Sequence, residues 1–264
     1  MRAGNWRVGT GERGGKSVQG DGRVSKDMRQ TVFIAGATGY MGRRLAAELL
    51  ERGHTVRGLT RAGSEARLAP GCTPVHGDAL DASTYAGAIA PATTFIHLVG
   101  TPHPAPWKAK EFEAVDLRSV REAVAAAEQA GVDHFVYVSV AHPAPAMKAY
   151  IRVRTECERL IAQSGLRATV LRPWYVLGPG HRWPVVLKPM YWAAERVPSL
   201  RDGARRLGLV TIGEMVSALA WTVENPARAV LEVPDIRATA QTTTRAAAQL
   251  ASTHQRSCPE HPTR

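Results

Sequence analysis

Apolar and polar positions alternate between two rhythms along most of the chain. Short apolar runs predict strands at TVFIAG (31–36), TVRGLTR (55–61), TPVHGD (73–78), TTFIHLVG (93–100), HFVYVSV (134–140) and RATVLRP (167–173). Between them, 3.6-residue periodicity predicts helices at MGRRLAAELLERG (41–53, closed by Gly53), EFEAVDLRSVREAVAAAEQAG (111–131) and YIRVRTECERLIAQSG (150–165). A last helix, IGEMVSALAWTVENP, follows further on. Strand–helix alternation at this pitch implies parallel strands joined by right-handed crossovers, an α/β fold with a doubly wound sheet. In such a sheet ligands sit beyond the carboxyl ends of the strands, where the strand order reverses.

The rhythm loosens after residue 173 into WYVLGPGHRWPVVLKPMYWAAERVPSL, rich in Pro, Trp and Tyr. This predicts a small C-terminal substrate-side segment at about 174–210, within one folded domain spanning 29–237. Residues 1–28 and 238–264 lack hydrophobic periodicity and are expected to be disordered tails. Met28, directly before the first strand, is the expected natural start.

Composition narrows the class. Of 264 residues, 44% are hydrophobic and 22% charged, as in ordinary globular proteins. No apolar run reaches the length of a membrane span, and the Gly/Arg-rich N-terminus has no signal-peptide core, so a cytoplasmic protein is expected. The net charge of +11 is inflated by the tails: residues 1–30 alone hold seven Lys/Arg against three Asp/Glu. The rest is interspersed arginine, a solvated basic surface rather than a nucleic-acid stripe. Cys72, Cys157 and Cys258 form no CxxC pair and the histidines no HxxxH, so reduced thiols and no metal site are expected. GTGERGGKS near the N-terminus imitates a P-loop, but Thr10 stands where its first Gly belongs and no strand precedes it.

Gly36, Gly39 and Gly42 follow the first strand and open a helix. That arrangement allows a tight turn, close approach of a pyrophosphate to backbone N–H groups, and close helix–sheet packing, so a dinucleotide site on a Rossmann-type fold is expected. After the second strand an NAD site would carry an acid for the ribose hydroxyls. This chain has Arg61 and no carboxylate before Glu65, which favours the 2′-phosphate of NADP, with the Thr38 amide assisting and NAD as the alternative. Asp78 ends the third strand, facing the adenine with Ala79 or Leu80 beside the ring, or else capping a helix. Tyr40, Met41, Leu98, Val99, Gly100 and Pro173 complete the expected cofactor contacts.

The order GATGYMG, GDALD, FIHLVG, AGVDHFVYVSV, Tyr150 with Arg154, and LRPWYVLGPG resembles the atypical short-chain dehydrogenase/reductases. Within these it is most similar to NmrA-like and NAD-dependent epimerase/dehydratase-like proteins, over residues 31 to about 235. The resemblance implies a Ser after the fifth strand that orients the substrate oxygen, here Ser139. It also implies a Tyr acid/base, here Tyr150, and a Lys one turn later that holds the nicotinamide ribose. Arg154 takes that last place. It keeps the charge and hydrogen-bonding capacity but cannot relay a proton as Lys can. His142 is a further acid nearby in sequence.

Trp174, Tyr175, His181 and Trp183 are expected to line an apolar substrate pocket, with Arg205 and Arg206 available to an anionic substrate. The sequence thus points to an NADP-preferring oxidoreductase or epimerase-like enzyme, monomeric or homodimeric, acting on a small carbonyl or hydroxyl substrate. The alternative is a non-catalytic dinucleotide sensor, or a scaffold or assembly protein, which would keep the glycine loop and dispense with the lysine.

Overall fold

A computed structural model describes residues 29–143, 147–179 and 208–243. Seven parallel strands form the main sheet in the order β3-β2-β1-β4-β5-β6-β9. These are β1 (Thr31–Ala35), β2 (Thr55–Thr60), β3 (Thr73–His76), β4 (Thr94–His97), β5 (His134–Val138), β6 (Ala168–Arg172) and β9 (Ala229–Glu232). Two short strands, β7 (Tyr175–Leu177) and β8 (Leu209–Thr211), pair separately. The strand order reverses between β1 and β4, which places the switch-point crevice there.

The sheet is covered on both faces, and alternation within each strand feeds two cores. In β1, Phe33 and Ala35 enter one core and Val32 and Ile34 the other. Register brings Phe33 opposite Phe95 and Phe95 opposite Phe135, with ring centroids 5.0 and 5.2 Å apart. This aromatic row runs across β1, β4 and β5 and fixes the register on which the site depends. A one-residue slip would throw every ring to the opposite face.

Helix α1 (Tyr40–Glu51) packs on the second core and against α5 (Ile212–Glu224), to which Arg52 ties it through Glu224 at 3.0 Å. Helix α4 (Lys148–Gln163) and a composite helix cover the other face. The segment predicted at 111–131 as one regular helix is instead α2 (Ala109–Glu111), a π-helical stretch (Phe112–Leu117) and α3 (Arg118–Gln129). A π-turn adds one residue to the turn and re-aims the side chains inside it. Phe112 and Asp116, four residues apart on one face, are both buried.

All six predicted strands are present and all end earlier than predicted, because Gly36, Arg61, Gly77–Asp78, Leu98–Gly100, Ser139–Val140 and Pro173 leave the sheet at its carboxyl edge. Strands β7, β8 and β9 had no predicted counterpart. The C-terminal tail expected from residue 238 is corrected in part: residues 233–243 are helical (α6), starting with Pro234 in the first turn and burying Ile236 and Ala240. The remaining tail residues, His181, Trp183, Arg205, Arg206 and Met28 lie outside the described residues. Among the described residues no helix is long and apolar enough to cross a membrane, and no cluster of His, Cys, Asp or Glu could hold a metal ion. Cys72 and Cys157 are buried free thiols, each pushed by burial up to about 11.

Candidate functional site

The carboxyl ends of β1 to β6 carry the expected site residues in order: Gly36, Arg61, Asp78, Leu98 to Gly100, Ser139 and Pro173. At the first end, Gly36 adopts φ +91°, and a Cβ there would stand 2.9 Å from the Leu98 carbonyl carbon. A Cβ on Gly42 would overlap the Gly36 carbonyl oxygen, and one on Gly39 would sit 3.1 Å from it. The triplet is therefore a turn in which backbone occupies the space side chains would take. Helix α1 then begins with no side-chain cap and no acid in its first turn, unlike α5, where Thr211 and Glu214 form a capping box. The uncapped N–H groups and the positive helix end suit a pyrophosphate. These residues fit a dinucleotide.

Beyond β2, Arg61 is exposed, and among the described residues its guanidinium has no partner. Arg67, on a short 3-10 turn, reaches across the crevice rim to donate to the Thr38 carbonyl at 3.4 Å. Glu65, the first carboxylate after β2, accepts from the Gly63 N–H (3.1 Å) and lies 3.2 Å from His76 Nδ1. It is engaged away from a ribose. Asp78 accepts from the Leu80 N–H at 3.0 Å, while the neighbouring 3-10 turn is capped by Asp81 instead. Tyr40 and Met41 open α1. Gly178, at the end of β7, lies directly over the Tyr40 hydroxyl, so that a Cβ there would overlap it and stand 3.0 Å from Ile212. Trp174 and Tyr175 are half-buried.

The three candidate catalytic side chains are held by partners that no motif flagged. Ser139 Oγ donates to Glu158 Oε1 at 2.5 Å, and Glu158 also takes Arg172 Nε (3.1 Å) and Nη2 (2.5 Å), with His142 at 3.4 Å. Burial opposes the charge on Glu158, but hydrogen bonds from His142, Arg172 and Ser139 outweigh it and hold the carboxyl below its ordinary range. The single Ser139 proton is thus committed to a carboxylate. Pro173 accepts from the Ala141 N–H at 2.9 Å and closes this end of the crevice.

Arg154 points into the protein. Its guanidinium donates to Asp116 Oδ1 (2.6 Å), to the Tyr137 hydroxyl (3.0 Å) and to the Val138 carbonyl (3.0 Å). Asp116 is fully buried and takes the Thr101 N–H (3.0 Å) and hydroxyl (2.6 Å) on its other oxygen. Gly100 admits the pair: a Cβ there would be 2.5 Å from Arg154 Nη2. Burial opposes the Arg154 charge, yet Tyr137, Tyr150 and Asp116 keep it protonated. Beneath it His97 is neutral, burial and then the Arg154 charge pushing it down to about 3.

Tyr150 stands half-buried over this network, the Arg154 guanidinium 5.0 Å above its ring and Phe112 packed on it at 4.9 Å. Burial raises its pKa; Arg154 pulls the other way without cancelling the shift. At neutral pH its hydroxyl is therefore a proton donor.

Glu158 had a legible signal, since Tyr150, Arg154 and Glu158 recur every four residues on one helix face. Asp116 had a weaker one, an acid on the apolar face of its helix. Arg67 had none.

Comparison with known proteins points to the same class of ligand. The profile of the family described as NAD(P)H-binding matches residues 36–186. A 3-diazoavenalumate denitrifying reductase of a Streptomyces species is 29% identical over 238 residues, 77% of this chain and 75% of that protein. A 3-beta-hydroxysteroid dehydrogenase of Mycolicibacterium neoaurum is 32% identical over 127 residues, 46% of this chain but only 34% of the relative's length. Among solved structures, the Bordetella bronchiseptica enzyme WbmH in complex with NAD+ superposes with a TM-score of 0.59 at 20% identity, covering 89% of this chain and 84% of that one.

Proposed function

The chain belongs to the NAD(P)H-binding family, in its oxidoreductase and epimerase-like branch, and from that premise we propose that it is an NADP-preferring reductase of a small carbonyl substrate. The observation that carries the reading is the side-chain-free Gly36–Gly42 turn opening an uncapped α1, with Tyr150 as a proton donor at the far end of the same sheet edge. Gly36, Gly39, Gly42 and the start of α1 hold the pyrophosphate. Arg61 and Arg67 receive the 2′-phosphate, Asp78 the adenine, and Leu98 to Gly100 with Pro173 flank the nicotinamide half. When bound, the reduced dinucleotide supplies a hydride, two electrons with their hydrogen, to a carbonyl carbon.

Tyr150 delivers the proton that the carbonyl oxygen then takes, and solvent restores it. Arg154 works through Tyr150 rather than on the ribose: its charge restores part of the acidity that burial takes from the phenol. Ser139 offers the substrate oxygen no proton while Glu158 holds it, so it fixes the floor of the site. Because the phenol stays protonated at neutral pH, reduction is the favoured direction, and oxidation gains rate as pH rises.

The same commitments favour one competing reading. With Ser139 and Arg154 both turned to internal acceptors, the fold also suits a dinucleotide sensor without turnover. Calorimetric titration of the full chain with NADPH and NADH comes first, then a carbonyl screen with the Tyr150→Phe variant. An enzyme keeps NADPH binding and loses about 10²–10⁴ in rate on losing its general acid. Binding without turnover in the parent chain selects the sensor, and binding of neither dinucleotide ends both readings.

A further inference from the structure

A cavity of about 230 Å³ opens beside Tyr150, outside the dinucleotide crevice residues. It is lined by Pro106, Phe112, Met147, Lys148, Ala149 and Tyr150. The tilted Phe112 and Tyr150 rings, 59° apart in plane, make one wall aromatic. Met147 turns the chain into α4 with φ +60°, a left-handed conformation non-glycine residues rarely hold. Trp107, next in sequence to the lining Pro106, is 83% exposed. The volume falls below the roughly 300–1,000 Å³ of drug-sized sites, which suits one ring with short substituents.

Of the six lining residues only Tyr150 and Lys148 have polar side chains. Lys148 is exposed and has no ion-pair or hydrogen-bond partner among the described residues. It opens α4, whose first turn carries no acid, so the positive helix end adds to its charge instead of neutralising it. Neighbouring cations are occupied: Lys108 donates to the Pro102 carbonyl at 2.9 Å and pairs with Glu111, and Arg152 pairs with Glu113 at 2.8 Å. The lining thus combines one proton-donating residue and one unneutralised cation with otherwise apolar residues.

We propose that the cavity binds a compact aromatic or alicyclic carbonyl acid, with its ring against Phe112 and Met147, its carbonyl oxygen toward Tyr150 and its carboxylate toward Lys148. Turnover of such a compound rests on the reductase reading above; its binding does not. The reading separates this chain from enzymes of neutral ketones, because Lys148 makes the acid group part of recognition.

The test is calorimetric binding of 4-acetylbenzoate and its neutral methyl ester to the full chain, with and without NADP+. The acid is expected to bind about three- to tenfold more tightly than the ester, the scale of a partly exposed charged contact. Lys148→Met erases that preference while leaving the melting temperature and NADP+ binding unchanged. Ala149→Phe fills the cavity and abolishes binding of both compounds; should that variant misfold, Lys148→Met alone decides. Equal affinity for acid and ester, no binding of either, or an unchanged preference in Lys148→Met overturns the proposal. Acid binding by a chain that ignores NADP+ would sustain this site and refute the reductase. NADP+ binding without acid binding would do the reverse.

Discussion

Replacing Asp116 by Asn tests whether the Arg154 network is the structural foundation of the site. Three donors converge on this one carboxylate: Arg154 Nη2 on one oxygen, and the Thr101 N–H and hydroxyl on the other. Asparagine keeps the shape but turns one oxygen into a second donor. In its better orientation the amide faces Thr101, whose hydroxyl can rotate to accept, while the Thr101 N–H is left unpaired. An orphaned buried N–H costs about 1–3 kcal/mol. Breaking a buried ion pair from one side costs about 3–5 kcal/mol in total, because the remaining charge is stranded. The side chains are 7% and 0% exposed, so solvent cannot rescue Arg154. A loss of that size lowers the melting temperature by about 6–20 °C for a domain of this length. Urea and thermal unfolding of the full chain at neutral pH measure it. The double variant Asp116→Leu with Arg154→Met, which removes both charges, is expected to be more stable than Asp116→Asn. A loss under about 1 kcal/mol, or a double variant no better than the single, would refute the claim that the pair is desolvated and mutually dependent.

Three further outcomes follow from the geometry. Arg61→Ala and Arg67→Ala are each expected to weaken NADPH binding about 10–100-fold, the worth of charged hydrogen bonds, and to leave NADH affinity unchanged in parallel titrations. Gly42→Ala forces a methyl into the Gly36 carbonyl and is expected to lose dinucleotide binding and about 1–3 kcal/mol of stability. Gly53→Ala, whose φ is +86° in open space, is the control that destabilises without touching the cradle. His97 and His134 are held neutral by burial, with pKa values of about 3 and about 4. Unfolding restores both to the ordinary value near 6.5, so the unfolded chain takes up protons first as pH falls. Each ring then removes about 1.4 kcal/mol of stability per pH unit between about pH 6 and 4. Denaturant midpoints for His97→Phe are expected to show a slope shallower by that amount, and an unchanged slope would contradict the burial argument.

The fold was legible because each strand is short, apolar and separated from the next by an amphipathic helix. Beyond residue 173 that contrast fades. Strands β7 and β8 have three residues each, too few to establish a period, and all four residues of β9 are half-buried, without a clean alternation. The glycine cradle was legible too, since backbone needs empty space and glycine is how a sequence writes it. The Tyr150 end was less so. The motif Tyr150–Arg154 names two side chains but not their direction, and direction was decided by Asp116, a buried acid on a different helix whose pairing with Arg154 no local pattern encodes. Strand ends were less legible: the sheet ends one to three residues before each predicted end, and the residues beyond, glycines and charged residues among them, belong to the crevice turns rather than to the strands.

The Gly178–Tyr40 contact bears on how this scaffold can be re-engineered. The position admits no side chain, and it anchors the exit of β7 to the first residue of the cofactor helix. It is therefore a natural graft junction. Segments transplanted from relatives should be spliced after residue 178 and before β8, with the glycine retained. Chimeras joined one residue earlier would carry a foreign side chain into α1 and damage the dinucleotide cradle, even if the new loop itself were sound.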